Sequence, residues 1–270
     1  MVQSNNAQNL NIWTPGLEGN KRAVMVWLHG GGFSNGSAQE VPAYNGENLS
    51  RKGDVVVVSV NHRLNIIGHL DLSAYGEKYQ YSANVGVLDI VMALRWIQEN
   101  IENFGGDPDN VTLFGESGGG AKVLTMMTSP YAKGLFAKGI VQSGATESMG
   151  VNFTTLAVSQ RLGELTLKHL GITTDNLETI QSVPYDTLVE ASQKAKVETA
   201  GEFGLRGALS GKVDMNWEPV VDGDFLPTNP VTPESFAAAG KQIPLVIGSN
   251  LNEWTSMSLV MGPDKGKSFT

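Results

Sequence analysis

The chain has 270 residues, 41% of them hydrophobic and 17% charged, with 19 Lys and Arg against 27 Asp and Glu for a formal charge of -8. That is enough for one large domain with a buried core, and it excludes whole-chain disorder and the clustered basic charge that a nucleic-acid partner needs. With no cysteine and only four histidines, neither a disulfide framework nor a metal cluster is expected, and no cofactor is expected either.

In chain order, short runs rich in Val, Ile and Leu occur at Val24–Leu28, Val55–Val60, Val111–Phe114, Gly139–Gln142 and Leu245–Gly248, each bounded by turn residues. Continuous apolar runs of this kind predict strands of a mostly parallel sheet covered on both faces. Between the second and third, a pattern apolar nearly all round predicts a buried helix from about Asn84 to Phe104, stopped by Gly105-Gly106-Asp107-Pro108. Residues 145–240 change character, with amphipathic helices expected at Thr155–Leu170 and Tyr185–Lys196 and Pro-rich turns after them. The expected organisation is one doubly wound α/β domain, with a core of residues 1–144 and 241–270 and a helical insertion of residues 145–240 covering the site. No stretch has the length of a membrane span, and the polar start from Met1 to Gln8 lacks the features of a signal peptide. As the sequence stands, a cytoplasmic location is expected, with secretion open should the N-terminus be truncated.

The chemistry-bearing motif is Gly115-Glu116-Ser117-Gly118-Gly119, directly after the Val111–Phe114 run and before a helical Ala-Lys-Val-Leu. A serine between such glycines stands on a sharp strand-to-helix turn with its hydroxyl exposed, and the helix N-terminus favours developing negative charge. With 32 glycines in the chain, about 0.3 matches to the pattern arise by chance. The independent signal is His29-Gly30-Gly31-Gly32-Phe33, placed where a strand-end loop supplies oxyanion donors; by the same arithmetic His-Gly-Gly-Gly is expected only about 0.007 times. Backbone amides aimed at a tetrahedral oxyanion contribute about 3 kcal/mol each. Gly31, Gly32 and Gly118 are the candidate donors.

These stretches, together with Asn9-Leu-Asn-Ile-Trp-Thr-Pro15, Asn84-Val-Gly-Val-Leu-Asp89, Ile101-Glu-Asn-Phe-Gly-Gly-Asp-Pro108, Gln142-Ser-Gly144, Pro219-Val-Val-Asp-Gly223 and Ile247-Gly-Ser-Asn-Leu-Asn-Glu253, resemble the type-B carboxylesterases and cholinesterases in family order. The resemblance implies an α/β-hydrolase fold and hydrolysis of a small-molecule ester through an acyl-enzyme. It implies Ser117 as nucleophile, Glu253 as the triad acid, Gly31, Gly32 and Gly118 as oxyanion donors, and Glu116 and Ser143 as supporting residues. Glu253 also fits by position, in the loop after the Leu245–Gly248 run and after the serine in chain order.

The family's order is Ser, acid, His, yet no histidine lies among residues 254–270. The resemblance also implies a substantial segment before the Asn9–Pro15 stretch, so the expectation is a chain truncated at both ends, lacking the final strand or strands, with the base supplied by a complementing C-terminal segment. His29 is expected to buttress the oxyanion loop, His62 and His69 are candidates to line the site mouth in a topological place wrong for the base, and His169 is expected to be a partly buried structural residue beside Val158, Leu162 and Leu165. Phe203, Met215 and Trp217 are candidates to line a substrate pocket. Two other readings stand beside this one: a non-catalytic cholinesterase-like binding or adhesion module, and an esterase whose base is one of the four histidines present.

Overall fold

The computed structural model describes residues 7–18, 21–145, 152–207, 212–235 and 243–253. In chain order the elements are β1 (Asn9–Trp13), β2 (Arg22–Leu28), α1 (Glu47–Gly53), β3 (Val56–Asn61), α2 (Asn65–His69), α3 (Val85–Asn100), β4 (Gly106–Glu116), α4 (Gly118–Thr128), β5 (Lys138–Gln142), β6 (Thr154–Thr155), α5 (Leu156–Leu170), α6 (Tyr185–Phe203), β7 (Val220–Val221) and β8 (Leu245–Gly248). Six strands form one sheet in the order β1-β3-β2-β4-β5-β8. β1 runs antiparallel to β3, and every other pairing in the sheet is parallel. All five apolar runs read from the sequence are strands of this sheet.

β1 escapes that reading, because Asn9 and Asn11 alternate with Leu10 and Ile12 in the half-buried pattern of an edge strand. β4 is longer than its apolar run, beginning at Gly106-Asp107-Pro108. A proline is tolerated there because the register with β2 is irregular between Arg22 and Val24, so the ring displaces no ladder hydrogen bond. The expected long helix divides into α3 and a 3-10 turn at Ile101–Phe104, ended by Gly105 in the left-handed conformation with φ 76°.

The main core joins Val24, Val26 and Leu28 of β2, Val56, Val58 and Val60 of β3, and Val111 and Leu113 of β4 to the buried sides of α3 and α4. Each such side chain stabilises the fold by roughly 1.5–3 kcal/mol. Phe225 and Leu226 belong to the same core. α5 and α6 pack around a second cluster that includes Ile66, Leu162, Leu165 and Ala195. Met215 and Trp217 are buried in this cluster, which overturns the expectation that they line a substrate pocket. Phe203, at the end of α6, is exposed.

Among the described residues β8 is the sheet edge next to β5, and it leaves Val246 63% and Ile247 48% exposed. No described helix is long and apolar enough to cross a membrane.

Candidate active site

β4 runs straight into α4 with only Ser117 between them, and the serine backbone takes up φ 54° and ψ -123°. A non-glycine residue in that region is strained by order 1–3 kcal/mol and persists only where its surroundings over-determine it. Here they do so from two sides. The Ser117 amide donates to the Gln142 carbonyl at 2.8 Å, and the Ala121 amide closes the first helical turn onto the Ser117 carbonyl at 3.2 Å.

The Gly30–Gly32 loop, at the end of β2, lies directly against this turn. A Cβ on Gly118 would stand 2.5 Å from both the amide nitrogen and the Cα of Gly32, so the two backbones touch where a side chain would separate them. Gly31 and Gly32 have φ values of 81° and 60°, which L side chains rarely adopt. Among the described residues the Gly31 and Gly32 amides have no hydrogen-bond acceptor, and the Gly118 amide, in the first turn of α4, has no intrahelical one. The structure thus brings all three candidate donors to one place beside Ser117.

A second chain of bonds runs across the carboxyl ends of the strands to the candidate acid. After Ser117 bonds Gln142 on β5, the Ser143 amide donates to the Gly248 carbonyl on β8 at 2.8 Å. The Ser143 hydroxyl then donates to Glu253 Oε1 at 2.5 Å, and the Asn250 amide donates to the same oxygen at 2.7 Å. Those two bonds, the hydroxyl first, hold the Glu253 carboxyl below the usual glutamate range. Glu116 lies next to the glycine loop, its Oε2 3.1 Å from where a Gly30 Cβ would be. Its side chain reaches solvent, but the protein wall on one side, and then the charge of Glu253, push its pKa up. Ser117, Glu116, Ser143 and Glu253 therefore share one end of the sheet.

The histidines depart from expectation. His62 and His69 do not line a mouth: both are buried, as is His29. The His29 ring stacks on His62 at 5.2 Å, and His69 meets the edge of Phe33 at 5.7 Å. Burial drives all three pKa values down, His29 to about 3 and His69 to about 4. Chain order places these residues after β2 and β3, and short motifs do not reveal whether the chain closes over their rings. His169 is on α5 with its side chain 23% exposed and Nε2 2.7 Å from Glu198 on α6, a link between two helices. None of the four is hydrogen-bonded to Ser117.

Two residues have structural roles that the sequence alone does not assign. Asp89 on α3 accepts three bonds from Arg63, one from the backbone amide at 2.9 Å and two from the guanidinium at 2.9 and 2.7 Å, anchoring the segment after β3. Lys122 on α4 is fully buried and donates to the His29 carbonyl at 2.8 Å. Its signal in the sequence is a lysine inside Ala121-Lys122-Val123-Leu124, where every neighbour is core-forming. Among the described residues no group of three His, Cys, Asp or Glu side chains is arranged to hold a metal ion.

A sequence model of the carboxylesterase family matches residues 2–269. The chain is 36% identical over 251 residues to the para-nitrobenzyl esterase of Bacillus subtilis, covering 93% of this chain and 48% of that protein. It is 34% identical over 246 residues to the phenmedipham hydrolase of Pseudarthrobacter oxydans, covering 91% and 45%. A crystal structure of a carboxylesterase from Geobacillus stearothermophilus superposes with a TM-score of 0.79 at 37% identity, covering 95% of this chain and 49% of that one. The chain thus spans about half the length of the relatives it matches. Strand order, the strained serine turn and these similarities agree, and the chain belongs to the carboxylesterase family with its α/β-hydrolase fold.

Proposed function

We propose that the protein hydrolyses small-molecule carboxylic esters, and that this chain carries the nucleophile, the oxyanion donors and the acid of the reaction. In this reading the Ser117 hydroxyl oxygen attacks the ester carbonyl carbon as its proton passes to a general base. The carbonyl oxygen, now an oxyanion, is held by the amides of Gly31, Gly32 and Gly118. Collapse of the intermediate expels the alcohol, which takes the proton from the base, and water then repeats the sequence on the acyl-serine to release the acid. Glu253 orients the base, a histidine from a complementing C-terminal segment outside these 270 residues. Glu116 and Ser143 support the acid side, and residues 145–240 form a helical insertion between the two core segments. No cofactor takes part.

The observation that carries this reading is the Ser117 backbone at φ 54° and ψ -123°, pressed against the Gly30–Gly32 loop. Among the described residues β8 pairs only with β5, and this exposed edge, with Val246 63% and Ile247 48% accessible, is where a complementing strand can add.

Without the base, about a million-fold of the acceleration is lost, leaving about 10³–10⁴ over water from the oxyanion hole and binding. The chain alone should therefore turn over p-nitrobenzyl or p-nitrophenyl esters very slowly. The test is labelling with a rhodamine-linked fluorophosphonate in buffer containing imidazole as an external base. Labelling should map to Ser117 by mass spectrometry, rise with imidazole and vanish in Ser117→Ala. Equal labelling of the Ser117→Ala chain overturns the reading.

A further inference from the structure

We infer that Lys122 is a positioning residue that clamps both ends of the Gly30–Gly32 loop, keeping the Gly31 and Gly32 amides beside Ser117. For the reaction this inference rests on the esterase reading; for the loop geometry it stands by itself.

Three consecutive glycines form a segment with little conformational stiffness of its own, so amides held there need an outside anchor. Lys122 provides one at each end. Its Nζ donates to the carbonyl of His29, the residue before the glycines, at 2.8 Å. The same Nζ lies 5.7 Å from the ring centroid of Phe33, the residue after them, within the range of a cation–π contact. Because Lys122 is on α4, the helix that begins at Ser117, the clamp ties the nucleophile's own helix to the loop.

The surroundings do not explain the lysine as a stabilising ion pair. Its side chain is 0% exposed, and among the described residues it has no carboxylate within ion-pair distance. The titratable groups facing it are His29 in the loop, His62 after β3 and His69 on α2. Each ring has its Nδ1 within 3.0 Å of a carbonyl oxygen, that of Gly30, Arg63 and Ala83 respectively. A carbonyl only accepts, so each Nδ1 carries the proton and each Nε2 is left with a bare lone pair. All three Nε2 atoms are buried with no partner among the described residues. The titratable neighbours of Lys122 are thus neutral rings, and burial lowers its own pKa to about 7. An amine buried without an anion is costly, and an apolar chain of similar length would stabilise the fold better. Its placement answers to the loop rather than to the core.

The test compares Lys122→Met, which keeps the length and most of the volume, with Lys122→Gln, which keeps an N–H donor. For Lys122→Met the expected results are a Tm equal to or above the parent's, lower NMR backbone order parameters confined to Gly30–Phe33, and about 10- to 100-fold slower fluorophosphonate labelling of Ser117 with imidazole present. Lys122→Gln should recover part of the labelling rate. The inference is overturned if Lys122→Met leaves the loop order parameters unchanged and labelling within about twofold of the parent. It is equally overturned if Tm falls and order is lost throughout α4, the behaviour of a residue that only packs. Should the parent chain resist the probe altogether, the esterase reading fails, and the loop order parameters still decide the role of Lys122.

Discussion

The nucleophile side and the acid side of the site are built differently. Ser117 sits between a central strand and a buried helix, with the β2 loop packed against it and a layer of buried histidines and Lys122 nearby. Glu253 hangs from the loop after the edge strand β8, beside Leu251, which is 97% exposed, and is held by the Ser143 hydroxyl and the backbone and side chain of Asn250. On the first side chemistry and core are one structure, so altering one disturbs the other. On the second, a carboxylate is tuned by a few hydrogen bonds and can be changed without unfolding the domain.

The largest effect expected from this contrast is on stability against pH. His29 and His69 are lowered from 6.5 to about 3 and about 4, and His62 also falls well below 6.5. A histidine whose folded pKa lies below its unfolded value stabilises the fold above the unfolded value and loses that contribution as pH falls toward the folded one. Each therefore weakens the fold progressively as pH falls below 6.5. Glu218 opposes them: burial raises it from 4.5 to about 7, so its contribution is lost as pH rises through 7 and regained on acidification. Between pH 6.5 and 4.5 the histidine losses should outweigh the Glu218 gain, so urea unfolding at stepped pH should show stability falling on acidification, and Glu218→Gln should steepen the fall. A flat profile in that window would mean that the histidine layer is not part of the core. Glu253 acts lower down, its contribution vanishing as pH falls through a folded pKa below 4.5.

A smaller effect on the same side comes from Gly119→Ala. The added Cβ falls on the Leu28 carbonyl oxygen, and such overpacking costs about 1–3 kcal/mol. Thermal unfolding should show the loss, accompanied by loss of Ser117 labelling; an unchanged Tm would show that the turn has slack. The smallest effect belongs to the acid side. Glu253→Gln should leave thermal stability closer to the parent's than Gly119→Ala does. It should also let the Glu116 pKa fall, since the Glu253 charge helps to raise it, a shift that NMR titration reads directly. Should Glu253→Gln destabilise as much as Gly119→Ala, the two sides are alike and the contrast fails.

The parts legible in the sequence are those with a local signature. Val55–Val60 reads as a buried strand because four β-branched residues in a row at its start suit little else, and Gly115-x-Ser117-x-Gly119 reads as a turn because the strand before it and the helix after it flank it directly. β1 was harder, since alternation over five residues is a short signal. His62 and His69 were misplaced because a histidine after a strand looks the same whether the chain above it is open or closed. Met215 and Trp217 were misread for a related reason: a large apolar side chain in a Pro-rich stretch fills a core as readily as a pocket.

By itself the sequence determined the family, the parallel sheet, the serine on its turn and the glycines that face it, because each depends on residue types at fixed spacing. Tertiary structure alone decided how the ends of the strands are wired together from Ser117 through Gln142 and Ser143 to Glu253. It alone decided, too, that Lys122 points inward to the oxyanion loop rather than outward to water. Both depend on which backbone atoms meet across distant segments, and desolvation and hydrogen-bond reach are set only when the chain has closed around them.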